Sequence, residues 1–296
     1  MFKIEEMNLY KTTNRFLNNY KQLKKRLKRN PTLEEISDID QLHYNGIEAV
    51  NEAILKTKIK ENSIILDIGS GIGGPARYLA NKTNSKIYAV ELQKSLNDIG
   101  NELTLNYNLE KNVFHINADI LVYNFNKIKF NYIVSWLALY HIPKRNELLK
   151  ILYNLLDDKG YMYVEDFYLK KNITNNEKEI LARNFHANHL VHLETYKEEL
   201  KNNKFYLLEC SDMSADWTKF TQNRLLNFKK NYAKHIQINN KNTADNILKF
   251  YNLAFELLSK NIVGGIRYVV KKKVWYEYNI NFWSYRNYVE YYKIWE

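Results

Sequence analysis

The chain has a single cysteine, Cys210, in 296 residues. One thiol excludes an intramolecular disulfide and fits a reducing compartment. It sits in the apolar run Phe205-Tyr-Leu-Leu-Glu-Cys210 and reads as a core residue. Prolines number three and glycines nine, while hydrophobic residues make up 45%; wholesale disorder is excluded. No run approaches the ~18 apolar residues of a membrane span. The opening Met1-Phe-Lys-Ile-Glu-Glu lacks the apolar stretch of a secretion signal. There is no internal repeat. A soluble, cytoplasmic protein is the expectation.

What is abundant is positive charge. The formal net charge is +11, which can mean nucleic acid or an anionic membrane. The basic residues are dispersed, however. Their densest run, Lys21 to Arg29, surrounds Leu23 and Leu27 at helical spacing and reads as the solvated face of an N-terminal helix. The length suits one large domain with a full core, or one core with appendages. The expected division is a basic helical extension over 1–36, a main domain over 37–273 and an aromatic extension over 274–296. That last segment holds Trp275, Trp283 and Trp295, a density that suits packing or a homo-oligomer interface.

Within the main domain strands and helices alternate, which predicts a parallel sheet covered on both faces. Strands are expected at 63–67, 86–91, 113–117, 130–135, 161–165, 205–210 and 264–270, with a turn at 157–160. Residues 175–200 read as helical. Two helices are expected over 217–260, roofing a site.

The stretch with chemical content is Ser63-Ile-Ile-Leu-Asp-Ile-Gly-Ser-Gly-Ile-Gly-Gly-Pro-Ala-Arg77. A buried strand runs into a glycine-rich turn, and the turn opens a helix. Gly69, Gly71 and Gly73 supply positive φ and let a ligand approach the backbone. The helix start offers unpaired N–H groups. Dinucleotide enzymes share this pattern, so alone it says only that a nucleotide-like cofactor is cradled. Glu91, two dozen residues after Asp67 at the end of the second strand, can hold both hydroxyls of a ribose. Asp119, just after the third strand, sits where an adenine amino group could bind. All three acids lie at carboxyl ends of strands, where open α/β sheets bind ligands.

Leu66-Asp-Ile-Gly-Ser-Gly-Ile-Gly-Gly-Pro-Ala-Arg-Tyr-Leu-Ala80 resembles the first motif of class I S-adenosylmethionine-dependent methyltransferases. Asp40-Gln-Leu-His-Tyr-Asn-Gly-Ile-Glu-Ala49 and Ser135-Trp-Leu-Ala-Leu-Tyr-His-Ile142 are similar to segments of the sarcosine/dimethylglycine and phosphoethanolamine N-methyltransferases. Asp212 to Trp217 and Gly264 to Tyr268 echo their later regions. The resemblance covers about residues 38 to 272. It implies a Rossmann-like, seven-stranded α/β sheet with a helical N-terminal lid. A helical roof is inserted between strands six and seven, within a substrate region of about 175–260.

The resemblance also implies roles. Asp67, Gly69, Ser70 and Gly71 line the methionine end of S-adenosyl-L-methionine, with Ser135 counted among the cofactor residues. Glu91 holds the ribose, and Leu92, Asp119 and Ile120 surround the adenine. Gln41 and His43 close over the cofactor. The product is S-adenosyl-L-homocysteine, and no metal is called for. Methyl transfer is an in-line displacement that needs alignment and exclusion of water. An amine acceptor must first lose a proton, and His141 is the candidate base, with Gln41 and Tyr44 in the facing lid. Trp136, Tyr140, His141, Asp166, Phe185 and Trp217 are the candidate substrate residues, since aromatic faces favour a cationic amine and the Asp166 carboxylate could pair with its ammonium. The chain departs from the phosphobase pattern in three places. Gln41 stands where a lid tyrosine is expected, Leu137 where an aspartate is, and His186 and Asn188 where phosphate-holding groups are.

The expected partner is a small-molecule methyl acceptor, most simply an amine of the glycine, sarcosine or dimethylglycine type, or a phosphobase. Carbon or oxygen acceptors such as sterols, tocopherols or sugars are the alternative. Amino-modifying nucleic-acid methyltransferases carry two prolines after strand four. Ser135-Trp-Leu-Ala138 has neither, which argues against nucleic acid. A cofactor-binding partner subunit without activity is a further possibility, against which the intact acidic triplet speaks.

Overall fold

Ile65 and Leu66 are both fully buried because their strand is the middle of the sheet, covered on both faces. The computed structural model describes residues 12–273. Among them seven strands form one sheet: β1 (Ile64–Ile68), β2 (Lys86–Glu91), β3 (Val113–Asn117), β4 (Phe130–Trp136), β5 (Leu156–Leu169), β6 (Phe205–Asp212) and β7 (Val263–Lys272). Their order is β3-β2-β1-β4-β5-β7-β6. Strands β1 to β5 pair in parallel, and β7 runs antiparallel between β5 and β6. The seven-stranded Rossmann-like expectation is borne out.

Eleven helices occur in the described residues: α1 (Asn14–Leu27), α2 (Leu33–Asp40), α3 (Ile47–Thr57), α4 (Gly74–Thr83), α5 (Lys94–Asn106), α6 (Arg145–Leu155), α7 (Asn175–Phe185), α8 (Leu193–Asn202), α9 (Ser214–Lys230), α10 (Tyr232–Asn239) and α11 (Lys241–Ser259). Alternate strand residues divide the core. Ile65, Val134 and Tyr163 pack with Ala49 and Ala53 of α3 and Leu79 of α4. Leu66, Ile133 and Val164 pack with Leu148 and Leu152 of α6 and Leu200 of α8. A period of two in the strands thus feeds two separate helical layers.

Two expectations change, and one is sharpened. The turn at 157–160 is absorbed into a long β5. Its register slips between Phe130 and Tyr132 on β4, and Asp157 Oδ1 accepts the Lys159 N–H at 3.1 Å, so turn chemistry makes an irregularity within the strand. The stretch 217–260 holds three helices, because Asn240 takes φ +103° and caps α11 by accepting from Thr243 N at 2.9 Å. In α1 the buried residues are Phe16 and Tyr20; Leu23 and Leu27 are only partly covered, and the lysines between them are exposed. The aromatic extension, and any oligomer made through it, lie outside the described residues.

No helix among the described residues is long and apolar enough to cross a membrane.

Candidate active site

At the carboxyl end of β1 the chain turns through Gly69, Gly71 and Gly73, with φ of +69°, +55° and +75°. The positive-φ expectation holds. At Gly69 the reason is also a neighbour: a β-carbon there would lie 2.2 Å from Ala138 Cβ. Gly69 N and Ser70 N donate to Val90 O at 2.9 and 3.0 Å, which ties the turn to β2. Glu91, ending β2, completes the tie. Its Oε2 accepts from Gly71 N at 2.9 Å and its Oε1 from Gln93 N at 2.7 Å.

These acids are deeply enclosed. Burial pushes the Glu91 carboxyl up to about 7, against the pull of its backbone donors. Burial and the nearby Glu91 push Asp67 up to about 8. Asp67 Oδ2 and Ser70 Oγ are buried with no hydrogen-bond partner among the described residues. Buried polar atoms normally have partners, and both residues line a cavity of about 670 Å³.

That cavity gathers most of the predicted residues. Gln41, His43, Tyr44, Asp67, Gly69, Ser70, Gly71, Glu91, Leu92, Asp119 and Ile120 line it, as do Trp136, Tyr140, His141 and Phe185. The segment 41–44 is internally braced. His43 Nε2 lies 2.8 Å from Gln41 Oε1, and His43 Nδ1 lies 2.9 Å from Tyr44 O. The His43 ring stacks on Trp136 at 5.4 Å. Burial lowers its pKa to about 4, so it is neutral. Tyr44 stacks on Trp217 with ring centroids 4.3 Å apart and planes at 13°. It meets Phe167 and Phe220 edge-on.

His141 lies in a short 3-10 turn, Leu139–His141, after β4. Its Nδ1 is 3.3 Å from His186 O. A carbonyl only accepts, so Nδ1 carries the proton and Nε2 the lone pair. Nε2 is buried without a partner among the described residues. Burial first, then the neighbouring histidines, lower the pKa to about 4. The near-neutral value expected from an unperturbed imidazole is therefore displaced, and the ring is unprotonated at neutral pH.

Three predicted residues do not line the cavity. Ser135 Oγ donates to Ile68 O at 2.9 Å and braces β4 against β1. Asp166 faces the opposite side of β5 from Phe167, as alternation requires. There it accepts a hydrogen bond from the Tyr196 hydroxyl. Trp217 is fully buried one layer back, beneath Tyr44 and over Gly265, where a β-carbon would lie 2.3 Å from the indole. Of the two departures noted at phosphate-holding positions, His186 lines the cavity and Asn188 lines a separate open groove.

The cavity lining also contains residues that sequence reasoning missed. Arg15 of α1, Arg183 of α7, Arg224 of α9 and Lys249 of α11 all line it. Arg224 also lies over the rings of Phe220, at 5.1 Å, and Tyr251, at 5.9 Å. The one sequence signal was the spacing of Phe220, Arg224 and Phe228, which share a helix face. The lining thus combines acids at the strand ends, Asp67, Glu91 and Asp119, and at the end of α2, Asp38 and Asp40, with four cations carried by helices, of which Arg183 is largely exposed and pairs with Glu179 at 3.3 Å.

A family model described as a methyltransferase domain matches residues 41–253. The chain belongs to the methyltransferase domain family, as this sheet order and glycine turn lead one to expect. It is 28% identical over 226 residues to a phosphoethanolamine N-methyltransferase of Plasmodium falciparum, covering 75% of this chain and 81% of that one. It is 23% identical over 165 residues to a sterol 24-C-methyltransferase of Saccharomyces cerevisiae, covering 54% and 43%. A solved structure of Haemonchus contortus phosphoethanolamine N-methyltransferase 2, with phosphomonomethylethanolamine and S-adenosylhomocysteine, superposes with a TM-score of 0.77 at 17% identity. It covers 92% of this chain and 60% of that one. The chain therefore spans under two thirds of the yeast and Haemonchus proteins' length.

Proposed function

We propose that the chain uses S-adenosyl-L-methionine to methylate the nitrogen of a small amine that also carries an anionic group, of the glycine, sarcosine or phosphobase type. The observation that carries the acceptor is the mixed charge of the cavity lining: carboxylates at the strand ends together with Arg15, Arg183, Arg224 and Lys249 from the helices. The donor reading fits the same residues. Asp67 and Glu91 are buried acids in want of a cationic and hydroxyl-bearing ligand, and Asp67 Oδ2 and Ser70 Oγ lack partners among the described residues. The donor supplies a methyl group on a positively charged sulfur, an already activated leaving group.

The remaining work falls to this chain's residues. Glu91 holds the ribose hydroxyls, with Leu92, Asp119 and Ile120 around the base. Gln41 and His43 cover the site from above. Tyr44, Phe167 and Phe220 offer ring faces and edges to a cationic amine. His141 Nε2 is placed to accept the proton that the ammonium must lose, freeing the nitrogen lone pair; a bound donor would supply the activated methyl group. The anionic group of the acceptor rests against the cations of the cavity. In this reading residues 37–273 form the catalytic domain and α7 to α11 its substrate roof.

The aromatic lining and the yeast relative favour a second reading, carbon methylation of a sterol-like acceptor. The cations in the lining weigh against it: Arg224, half-buried over the rings of Phe220 and Tyr251, suits an acceptor that carries an anion better than an apolar one. Methyl-labelled donor offered with glycine, sarcosine, dimethylglycine, phosphoethanolamine, a sterol and a sugar separates the two. Label in an amine is the expected result; label in the sterol or sugar alone would retire the amine.

A further inference from the structure

Beside the glycine turn lies a polar cluster to which the chemistry above gives no role, although Asp40, one of its members, also lines the cavity. Arg77 of α4 and Asp40, the last residue of α2, form an ion pair at 2.9 Å with side chains 0% and 1% exposed. Arg77 also donates to Gly100 O at 3.2 Å and to Thr104 Oγ1 at 3.3 Å. Thr104 in turn meets His115 Nε2 at 2.8 Å. The contact extends to the backbone. A β-carbon at Gly74, in the first turn of α4, would lie 2.2 Å from Asp40 O and 2.7 Å from its carbonyl carbon. The end of α2 is therefore seated directly on the start of the helix that the glycine turn opens.

The position of this pair matters more than its existence. Asp40 is followed at once by Gln41, His43 and Tyr44, which line the cavity; Arg77 belongs to α4, the helix that the glycine turn opens. A buried ion pair is poor at adding stability, since well-packed apolar residues often do as well, but its directional bonds can fix register. Hydrogen bonds to Asp40, Gly100 and Thr104 hold Arg77 in one orientation, and so hold α2 at one height above the turn.

We propose that Asp40 and Arg77 are positioning residues that set the Gln41–Tyr44 segment over the glycine turn, so that donor affinity depends on them. This rests on the reading of the cavity as the donor site. The test compares wild type with the double variant Asp40→Leu/Arg77→Met, in which both charges are replaced by apolar groups of similar reach, and with Arg77→Lys. Three quantities are read: melting temperature, hydrogen exchange of peptides spanning 41–46, and S-adenosylhomocysteine affinity by calorimetry.

The expected result for the double variant is a melting temperature near that of wild type, with unchanged exchange in the β1 and β4 peptides. Exchange at 41–46 is at least tenfold faster, and the dissociation constant at least tenfold higher. Arg77→Lys, which keeps the charge but not the fork, falls between. The proposal is overturned by wild-type exchange at 41–46, by faster exchange there with unchanged affinity, or by faster exchange throughout the sheet, which would make the pair merely stabilising. Where the double variant does not fold, Arg77→Lys and Asp40→Asn carry the same comparison. Failure of wild type to bind S-adenosylhomocysteine would defeat the reading of the cavity, while exchange at 41–46 would still judge the latch.

Discussion

Glu91→Gln tests the donor site with least disturbance of shape. The Glu91 carboxylate accepts from Gly71 N at 2.9 Å and from Gln93 N at 2.7 Å. The amide keeps the volume but offers only one accepting oxygen and no charge. A hydrogen bond to a charged group is worth about 1.5–3 kcal/mol, against about 0.5–1.5 for a neutral one. Losing that difference at the two ribose hydroxyls that Glu91 holds in the proposed complex weakens donor binding by about 2–3 kcal/mol, roughly 30- to 140-fold. The pH dependence gives a second, independent reading. Burial holds Glu91 near 7 in the free protein, so below that pH the carboxyl is protonated and must ionise to accept fully from a ribose. Wild-type affinity should therefore rise from pH 6 to pH 8, with proton release on binding. Asp67, raised to about 8, contributes in the same direction. In Glu91→Gln the rise should shrink by about one proton's worth. Calorimetry in two buffers of different ionisation enthalpy measures both. Wild-type affinity in the variant at pH 8, or an undiminished pH slope, would refute the reasoning.

Other substitutions probe the remaining parts. Gly69→Ala places a β-carbon 2.2 Å from Ala138 Cβ at φ +69°. The left-handed backbone alone costs about 1–2 kcal/mol, so a lower melting temperature and loss of donor binding are expected, and an unchanged thermal scan would contradict this. His141→Gln should lower kcat by about 10²–10⁴-fold, the range of general base catalysis, with donor affinity unchanged; equal turnover in both proteins retires the base. Arg224→Gln should raise the acceptor KM at least tenfold while leaving donor affinity alone; a matched loss of both would place Arg224 outside the acceptor subsite.

The glycine turn, Glu91 and Asp119 were legible because each follows directly from a strand end, and strand ends in a parallel sheet converge in space. Segment 41–44 and His141 were legible only through resemblance, since nothing local marks them. Asp166 was misplaced by one step of strand alternation: its neighbour Phe167 reaches the cavity, and Asp166 turns to Tyr196 instead. Trp217 was misplaced because a buried aromatic and a lining aromatic look alike in sequence. The cations of the cavity escaped notice for a different reason. Arg15, Arg183, Arg224 and Lys249 come from four helices, and an isolated cation on an amphipathic helix reads as a solvated side chain until the helices are packed.

The most direct test of the account is methyl transfer to acceptors that differ only in the anion. Phosphoethanolamine against ethanolamine, and sarcosine against dimethylamine, are compared at equal concentration with labelled S-adenosyl-L-methionine. At least one anion-bearing amine should be methylated with kcat/KM at least a hundredfold above its anion-free partner. Equal rates within both pairs would contradict the account, because the cations of the cavity would then have no part in choosing the acceptor.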